Sequence, residues 1–418
     1  MKLITINICL LIILSLFSCK KDISIHEEDS ITPAKLYIVW HKSVFDDNAG
    51  AIFDNPYFSN NYVGFSAKLL YDKNDGKLGA VLLNKLTGDR HPAWNHEPNI
   101  SDYIPDWDIA GEDKGVVVYN NSFFLSLYSV NTGEEIPEFN PAPNMIPPRI
   151  STFGNIVFMG ISPHGNDVWG ELGAFNVKTR TYKEIIHLDM IDGYEFTLLP
   201  PSVYIAASND TILIFQKRQY NFFMPDGKVD IYAYNMTADS LLWIIDDITI
   251  SGNSSVKEGI IVNDKYIFQG SNSVHCINIL NGTILWEHQE VGGSFFQQDN
   301  LYAEGKIFMN SEGGKVFCYD INSGNLLWEN TTSYSNPSRG GRMVFYNGKL
   351  YINVIPDERL PLELRGSLKC YSGNTGELLW SSVNSSGGLI VDNETGYLYT
   401  TNEHEVFCID LNKSPIKD

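Results

Sequence analysis

The chain has 418 residues, and its 50 acidic residues exceed its 30 basic residues, which gives a formal net charge of −20. Affinity for nucleic acid comes mainly from lysines and arginines that neutralise phosphates, so this charge argues against nucleic acid as a partner. The same charge opposes direct adsorption to an anionic membrane face. Aromatic residues are abundant and blocks of helix-forming residues are scarce, a composition typical of many short strands.

The first residues have the pattern of a secretory signal. Lys2 precedes an apolar run over residues 3–17, and small residues follow it. A membrane-spanning helix needs roughly 20 apolar residues, so this run is too short to remain as one. Leu16-Phe17-Ser18-Cys19 resembles the lipobox of bacterial lipoproteins, which implies a signal peptide over residues 1–18 and lipidation of Cys19. An ordinary signal peptide with an incidental cysteine is the alternative.

The segment that follows Cys19 is polar and lacks periodicity, so residues 19–34 are predicted to form the lipidated cysteine and a flexible tether. Its start, Lys20-Lys21-Asp22, resembles the surface-export signal of lipoproteins in the Bacteroidota. We therefore expect a protein anchored by lipid to the outer membrane, on the periplasmic face or on the cell surface, and assign residues 35–418 to one folded domain.

The second half of the chain repeats a short motif. A small residue leads, a turn residue follows six positions later and a tryptophan follows ten positions later. The four clear copies run Ala233–Trp243, Cys276–Trp286, Cys318–Trp328 and Cys370–Trp380. Weaker copies begin upstream at Leu82, Leu127 and Ala174, and an eighth begins at Cys408. The spacing between leading residues is 38 to 59 residues, which fits a four-stranded propeller blade of roughly 40–50 residues.

This motif resembles the tryptophan-docking repeat of the quinoprotein-like (PQQ-like) β-propellers. The resemblance implies an all-β fold, an eight-bladed propeller with four-stranded antiparallel blades, in which tryptophans pack against the neighbouring blade. The predicted docking residues are Trp40, Trp94, Trp243, Trp286, Trp328 and Trp380. Seven blades is the alternative, if one degenerate copy is not a full blade.

The eighth copy ends before its tryptophan, whereas residues 35–41 form an isolated strand pattern that contains Trp40. This N-terminal strand is predicted to complete the last blade and so to close the ring without a free edge.

The sequence gives little support for catalysis or metal binding. Cys276, Cys318, Cys370 and Cys408 hold equivalent repeat positions, so they are predicted to be small buried residues, without disulfides. Quinoprotein dehydrogenases resemble one another in an adjacent cysteine pair near the cofactor, and this chain has none. We predict no enzyme activity, no cofactor and no metal. His91, near His96 and several aspartates, is interpreted as part of a solvated acidic loop.

Aromatic residues in the longer loops are candidates for partner binding, because surface aromatics are enriched at interfaces. They are Trp107, Trp169, Tyr220, Phe222 and Phe223. Packing of each loop onto its own blade is the alternative.

Three functions remain open at this point. A lipid-anchored eight-bladed propeller resembles the BamB-like lipoproteins of the outer-membrane β-barrel assembly machinery, which implies a monomeric, non-catalytic scaffold that binds another envelope protein. The alternatives are a surface lipoprotein that binds glycan or another nutrient ligand, and a PQQ-dependent dehydrogenase.

Overall fold

The computed structural model describes most of the predicted domain in segments. These are residues 35–44, 50–52, 56–70, 76–94, 106–120, 125–136, 145–163, 169–189, 195–220, 228–250, 259–270, 273–289, 300–311, 314–331, 342–354, 367–383, 387–402 and 404–415. The predicted signal peptide and tether lie outside them, so those assignments stay predictions. Among the described residues, no helix is both long and apolar enough to cross a bilayer.

The described strands form eight separate antiparallel sheets, and each sheet is one blade. The innermost strands of successive blades contact one another in chain order, as the ring of a propeller requires. We name the strands of a blade A, B, C and D from the axis outward. The predicted all-β, eight-bladed propeller is confirmed.

Blades 1 to 4 occupy the first part of the ring. Their strands are β2 (Gly50–Ile52), β3 (Tyr57–Ser59), β4 (Tyr62–Leu70) and β5 (Gly76–Asn84) in blade 1; β6 (Asp106–Ala110), β7 (Val116–Asn120) and β8 (Leu125–Ser129) in blade 2; β9 (Met145–Phe153), β10 (Ile156–Pro163), β11 (Trp169–Asn176) and β12 (Thr181–Asp189) in blade 3; and β13 (Glu195–Leu198), β14 (Ser202–Ile205), β15 (Thr211–Tyr220), β16 (Lys228–Asn235) and β17 (Ser240–Ile250) in blade 4.

Blades 5 to 8 complete the ring. Their strands are β18 (Ile260–Val262), β19 (Lys265–Gln269), β20 (Ser273–Asn278) and β21 (Ile284–Gln289) in blade 5; β22 (Asn300–Ala303), β23 (Lys306–Asn310), β24 (Lys315–Asp320) and β25 (Leu326–Thr331) in blade 6; β26 (Met343–Tyr346), β27 (Lys349–Val354), β28 (Ser367–Ser372) and β29 (Leu378–Val383) in blade 7; and β30 (Leu389–Asp392), β31 (Tyr397–Thr401), β32 (Glu405–Asp410) and β1 (Ile38–Ser43) in blade 8.

The N-terminal blades are the least regular. Strand A consists of two short pieces in blade 1 (β2 and β3) and in blade 4 (β13 and β14). In blades 1 and 2 the described outer strand is reduced to single antiparallel bridges, Leu83 to Arg90 and Tyr128 to Glu135. These are the blades where the sequence motif is weak, and a 3-10 helix over Pro92–Trp94 follows the first bridge.

Every leading residue of the repeat lies in strand C of its blade, from Leu82 in β5 to Cys408 in β32. The blades are locked together by apolar side chains from their two faces. One such cluster joins blades 4 and 5 and contains Ile214, Ala233 and Phe268, all fully buried. Because strand C is sandwiched between neighbouring blades, its leading position accepts only a compact side chain in the regular blades.

The ring closes as the sequence predicts. Strand β1 pairs antiparallel with β32, and Trp40 stands opposite Cys408 in the register. The N-terminal strand is therefore strand D of blade 8, and the two ends of the domain share one sheet.

The antiparallel order gives the ring two unlike faces. The A–B and C–D turns lie on one side, which we name the turn face, and the B–C and D–A connections lie on the other, the connection face. The turns are tight, and several contain a residue with positive φ, such as Asn347 and Gly348.

Candidate functional site

The docking tryptophans pack onto the next blade around the ring. Each indole Nε1 donates a hydrogen bond to a backbone carbonyl there: Trp40 to Lys85 (3.0 Å), Trp94 to Val130 (2.7 Å), Trp243 to Ile279 (2.7 Å), Trp286 to Ile321 (3.1 Å) and Trp328 to Gly373 (3.2 Å). Trp380 is buried in the apolar cluster that blades 7 and 8 share, and its ring centroid lies 5.9 Å from that of Tyr351 in its own blade. The indoles thus add both apolar contact and a polar link between blades.

A glycine of the next C–D turn forms the seat for four of these indoles. Gly324 has φ +71, and a Cβ built there would lie 2.6 Å from the Trp286 ring. Gly88, Gly282 and Gly376 stand in the same way against Trp40, Trp243 and Trp328. Both the backbone conformation and the contact require glycine at this turn.

The junction between blades 8 and 1 gathers several polar links on one residue. The Lys85 carbonyl accepts hydrogen bonds from Trp40 Nε1 and from the Tyr399 hydroxyl, each at 3.0 Å. Lys85 Nζ lies 3.2 Å from Asp392 Oδ2 and 5.0 Å from the centroid of the Phe58 ring. Burial would raise the pKa of Asp392, but hydrogen bonds from Glu394 N–H and Lys85 outweigh it and hold the pKa below its usual value. Lys85 therefore ties the closing blade to the first one.

The four cysteines are buried and free. Burial raises the pKa of the Cys276, Cys318, Cys370 and Cys408 thiols to about 12. In their registers, each stands opposite a docking tryptophan. An enclosed thiol with a raised pKa is a poor nucleophile, as a small buried core residue should be.

A band of exposed apolar side chains lies on the outer strands and turns of blades 4, 5 and 6. We name this band the apolar rim; its members are between 39% and 55% exposed. They are Leu241, Leu242, Ile244, Leu280, Ile284, Leu285, Leu326 and Leu327. Strands β17, β21 and β25 are terminal strands of their sheets, so their outer backbone edges have no partner strand among the described residues. Apolar side chains beside an open strand edge are suited to bind an extended segment of another protein.

A smaller apolar area lies around the axis on the turn face. Tyr302, Phe345 and Ile390, from strands A of blades 6 to 8, line a cavity of about 400 Å³. Phe153 and Ile205, at the ends of strands A in blades 3 and 4, are also exposed.

The aromatic residues that the sequence assigns to binding loops are placed differently. Trp107 lies in β6, Trp169 begins β11 and Tyr220 ends β15, so these three belong to strands and not to loops. All three strand ends face the connection face. Phe222 and Phe223 lie outside the described residues. A role in partner binding stays a prediction for all five.

The histidine of the predicted acidic loop has a structural role. His91 is 5% exposed, its Nδ1 accepts a hydrogen bond from Ala93 N–H at 3.1 Å, and its ring lies 4.4 Å from that of Tyr62. Burial lowers the pKa of His91.

A different group, Glu171, Glu184 and His187 in blade 3, brings three metal-type donors together. No motif in the sequence predicts this group.

Comparison with known proteins agrees with this architecture. Residues 225–354 match the PQQ_2 family model, described as the outer membrane protein assembly factor BamB. The matched range runs from blade 4 to blade 7 and includes the whole apolar rim. A curated BamB from Nitrosomonas eutropha is 24% identical over 133 residues, 31% of this chain and 32% of that protein. The match thus spans about a third of the length of this relative.

Solved structures share the fold over nearly the whole chain. BamB from Moraxella catarrhalis is 12% identical with a TM-score of 0.58, covering 91% of this chain and 99% of that one. A europium-containing methanol dehydrogenase is 11% identical with a TM-score of 0.63, covering 90% and 93%. Sqt1 of Chaetomium thermophilum, bound to the N-terminus of ribosomal protein L10, is 11% identical with a TM-score of 0.59, covering 89% and 100%.

This chain folds as an eight-bladed β-propeller, and its blades 4 to 7 resemble the PQQ-like propeller of BamB. Because the structural neighbours include both binding proteins and an enzyme, the fold by itself does not select between these functions.

Proposed function

We propose that this propeller is a non-catalytic protein-binding scaffold of the cell envelope, held at the outer membrane by lipid on Cys19 and acting in outer-membrane protein assembly. The observation that carries the proposal is the apolar rim. Eight exposed aliphatic side chains lie there beside the open edges of three neighbouring outer strands. Contiguous exposed apolar patches on soluble proteins often mark interaction sites.

The mode of binding follows from the rim's two components. The backbone edge of a strand such as β21 offers N–H and C=O groups to an added strand, while Ile284 and Leu285 offer apolar contact. Backbone pairing then supplies affinity and the side chains supply selectivity. The proposed partner is another envelope protein with an exposed strand or extended segment. The match of residues 225–354 to the BamB model supports this reading, because it covers the same blades.

Site-specific photo-crosslinking in membranes tests the proposal. A photoreactive phenylalanine analogue at Leu285 or Leu327 is expected to crosslink a barrel-assembly component, recovered from detergent-solubilised membranes through a tag on this chain. The same analogue at Lys178, an exposed position on the C–D turn of blade 3, serves as the matched control. No adduct at either rim position, or equal adducts at Lys178, would remove the rim from the proposal.

Anchoring and orientation have their own measurements. Cys19→Ser is expected to release the protein from the membrane fraction, because the acyl chains would be lost. Protease treatment of intact cells separates the two faces: protection places the propeller in the periplasm, and digestion places it on the surface, as the nutrient-binding alternative requires.

The absence of catalysis is also a proposal. It is supported by the lack of an adjacent cysteine pair and by the enclosed, protonated cysteines. Dye-linked oxidation of alcohols and sugars after addition of pyrroloquinoline quinone and Ca²⁺ tests it, and turnover above background would contradict it.

A further inference from the structure

Two carboxylates and an imidazole meet on the outer half of blade 3. Glu171 lies on β11 and is the register partner of His187 on β12. A β-bulge follows Leu172, so that Gly173 stands opposite Glu184. Without the bulge Glu184 would project from the other face of the sheet, because side chains alternate along a strand. One ligand atom from each of the three acidic or imidazole groups lies within 4.8 Å of the others.

The central carboxylate of this group is buried. Glu171 is 5% exposed, and the Tyr182 hydroxyl donates a hydrogen bond to it. Among the side chains that the structure describes, no lysine or arginine forms an ion pair with Glu171. A buried negative charge beside a second carboxylate is costly unless a cation joins them.

The backbone of β11 is shaped to admit this arrangement. A Cβ at Gly173 would lie 2.2 Å from the Tyr182 hydroxyl oxygen, so only glycine leaves room for that hydroxyl beside Glu171. In other blades the same repeat position carries a large side chain, for example Tyr232, His275 or Phe317. The glycine is therefore a feature of blade 3 and not of the repeat.

We propose that Glu171, Glu184 and His187 form a binding site for a divalent transition-metal ion. One imidazole nitrogen and two carboxylate oxygens are a ligand set that Zn²⁺ and Mn²⁺ accept. Three protein ligands leave at least one coordination position to water. Tyr182 is the outer residue that orients Glu171, the role that hydrogen-bonded partners of metal ligands generally have.

The position of the site gives the metal a structural purpose. Blade 3 has no docking tryptophan, because Lys183 holds the register position opposite Ala174 that tryptophan occupies opposite Cys276 in blade 5. A metal bound by Glu171 on β11 and by two residues of β12 would link the outer strand to its neighbour beside this weaker junction. We therefore expect the ion to stabilise blade 3.

Equilibrium dialysis of the purified full chain against ZnCl₂, and separately MnCl₂, tests the proposal. The wild-type protein is expected to retain one ion per chain at this site. Glu184→Gln and His187→Gln, both at exposed positions, are each expected to weaken binding at least about tenfold, since losing even an outer partner of a metal ligand costs about 10–100-fold. Saturating metal is also expected to raise the melting temperature of the wild type but not of the double variant.

The pair His41 and Glu405 in blade 8 supplies a matched control. These side chains lie 3.6 Å apart, and among the described residues they belong to no group of three metal-type donors. His41→Gln is expected to leave metal binding unchanged. Equal binding by the wild type and the Glu184→Gln/His187→Gln double variant would overturn the proposal, as would loss of the bound ion in His41→Gln.

Discussion

Lys183 on the outer strand of blade 3 reaches Asp239 on the C–D turn of blade 4, with 2.8 Å between Nζ and Oδ1. Lys183 stands opposite Ala174 in the register, where regular blades have the docking tryptophan. Asp239, with φ 55, holds the turn position where regular blades have the glycine seat. At this one described junction, an ion pair replaces the indole and its seat together. Hydrogen bonds from Lys183 and Tyr234 hold the pKa of Asp239 below its usual value.

The ion pair is expected to be a weaker connector than an indole. Both side chains are about half exposed or more, so solvent and salt screen their attraction. Lys183→Ala should change the urea midpoint of unfolding only slightly, and less at high salt, whereas Trp286→Ala should lower it strongly.

The tryptophan and glycine pair of the other junctions can be introduced between blades 3 and 4. The double variant Lys183→Trp/Asp239→Gly is expected to unfold at a higher urea concentration than wild type. The reason is that an indole buried on a glycine seat removes more apolar surface from water than the ion pair does. A double variant less stable than both single variants would show that blade 3 cannot accept this docking.

The glycine seats predict a matched pair of substitutions. Gly324→Ala combines a disfavoured positive φ with a clash against Trp286, so it should lower the free energy of unfolding by about 2–5 kcal/mol. Gly305→Ala has a similar φ of +77 but no atom within 4 Å of the added Cβ, so only about 1–2 kcal/mol is expected. Urea titrations of both variants measure the difference. Equal losses would mean that the contact with the indole contributes nothing to the free energy of unfolding.

The sequence predicts the ring well because the repeated residues are the ones that pack between neighbouring blades. A small residue in strand C and a tryptophan ten positions later recur where the regular blades meet, so the positions of Cys276 and Trp286 follow from the motif. The pairs Leu326-Leu327 and Ile284-Leu285, which precede Trp328 and Trp286, belong to the apolar rim. Their exposure could not be read from the motif, since it depends on how far blades separate at the periphery.

Two parts of the candidate sites could not be predicted from sequence. The group of Glu171, Glu184 and His187 depends on a β-bulge that shifts the register between β11 and β12 by one residue. No residue pattern in the sequence predicts this bulge. The loop assignment of Trp107 and Trp169 failed because an aromatic residue near a turn can end or begin a strand.

The buried thiols are expected not to react with thiol reagents. Cys276, Cys318, Cys370 and Cys408 are each 0% exposed, and burial raises each pKa to about 12. At pH 8 the folded protein should therefore leave these four unmodified by an aromatic disulfide reagent, and urea should release all four. Rapid modification of a thiol in the folded protein, followed by peptide mapping to one of these positions, would contradict the packing described here.

His275 predicts a pH dependence of stability. It is buried, with Nε2 at 2.9 Å from Ser273 Oγ, and burial lowers its pKa even though Glu287 opposes the shift. The unfolded chain therefore takes up a proton near pH 6.5 that the folded chain does not, so this contribution to stability is present above that pH and is lost as the pH falls below it.

His275→Gln should reduce the slope of unfolding free energy against pH between pH 7 and 5 by up to about 1.4 kcal/mol per pH unit. Urea titrations across this range measure the slope. An unchanged slope in His275→Gln would show that this imidazole does not resist protonation.

Closure of the ring by the N-terminal strand is the claim on which the whole account depends. Trp40→Ala removes the indole that stands opposite Cys408 and donates to the Lys85 carbonyl. Urea unfolding of this variant should show a loss of about 3–5 kcal/mol relative to wild type, against less than about 1 kcal/mol for the exposed neighbour Val39→Ala. Equal, small losses in the two variants would contradict closure by this strand.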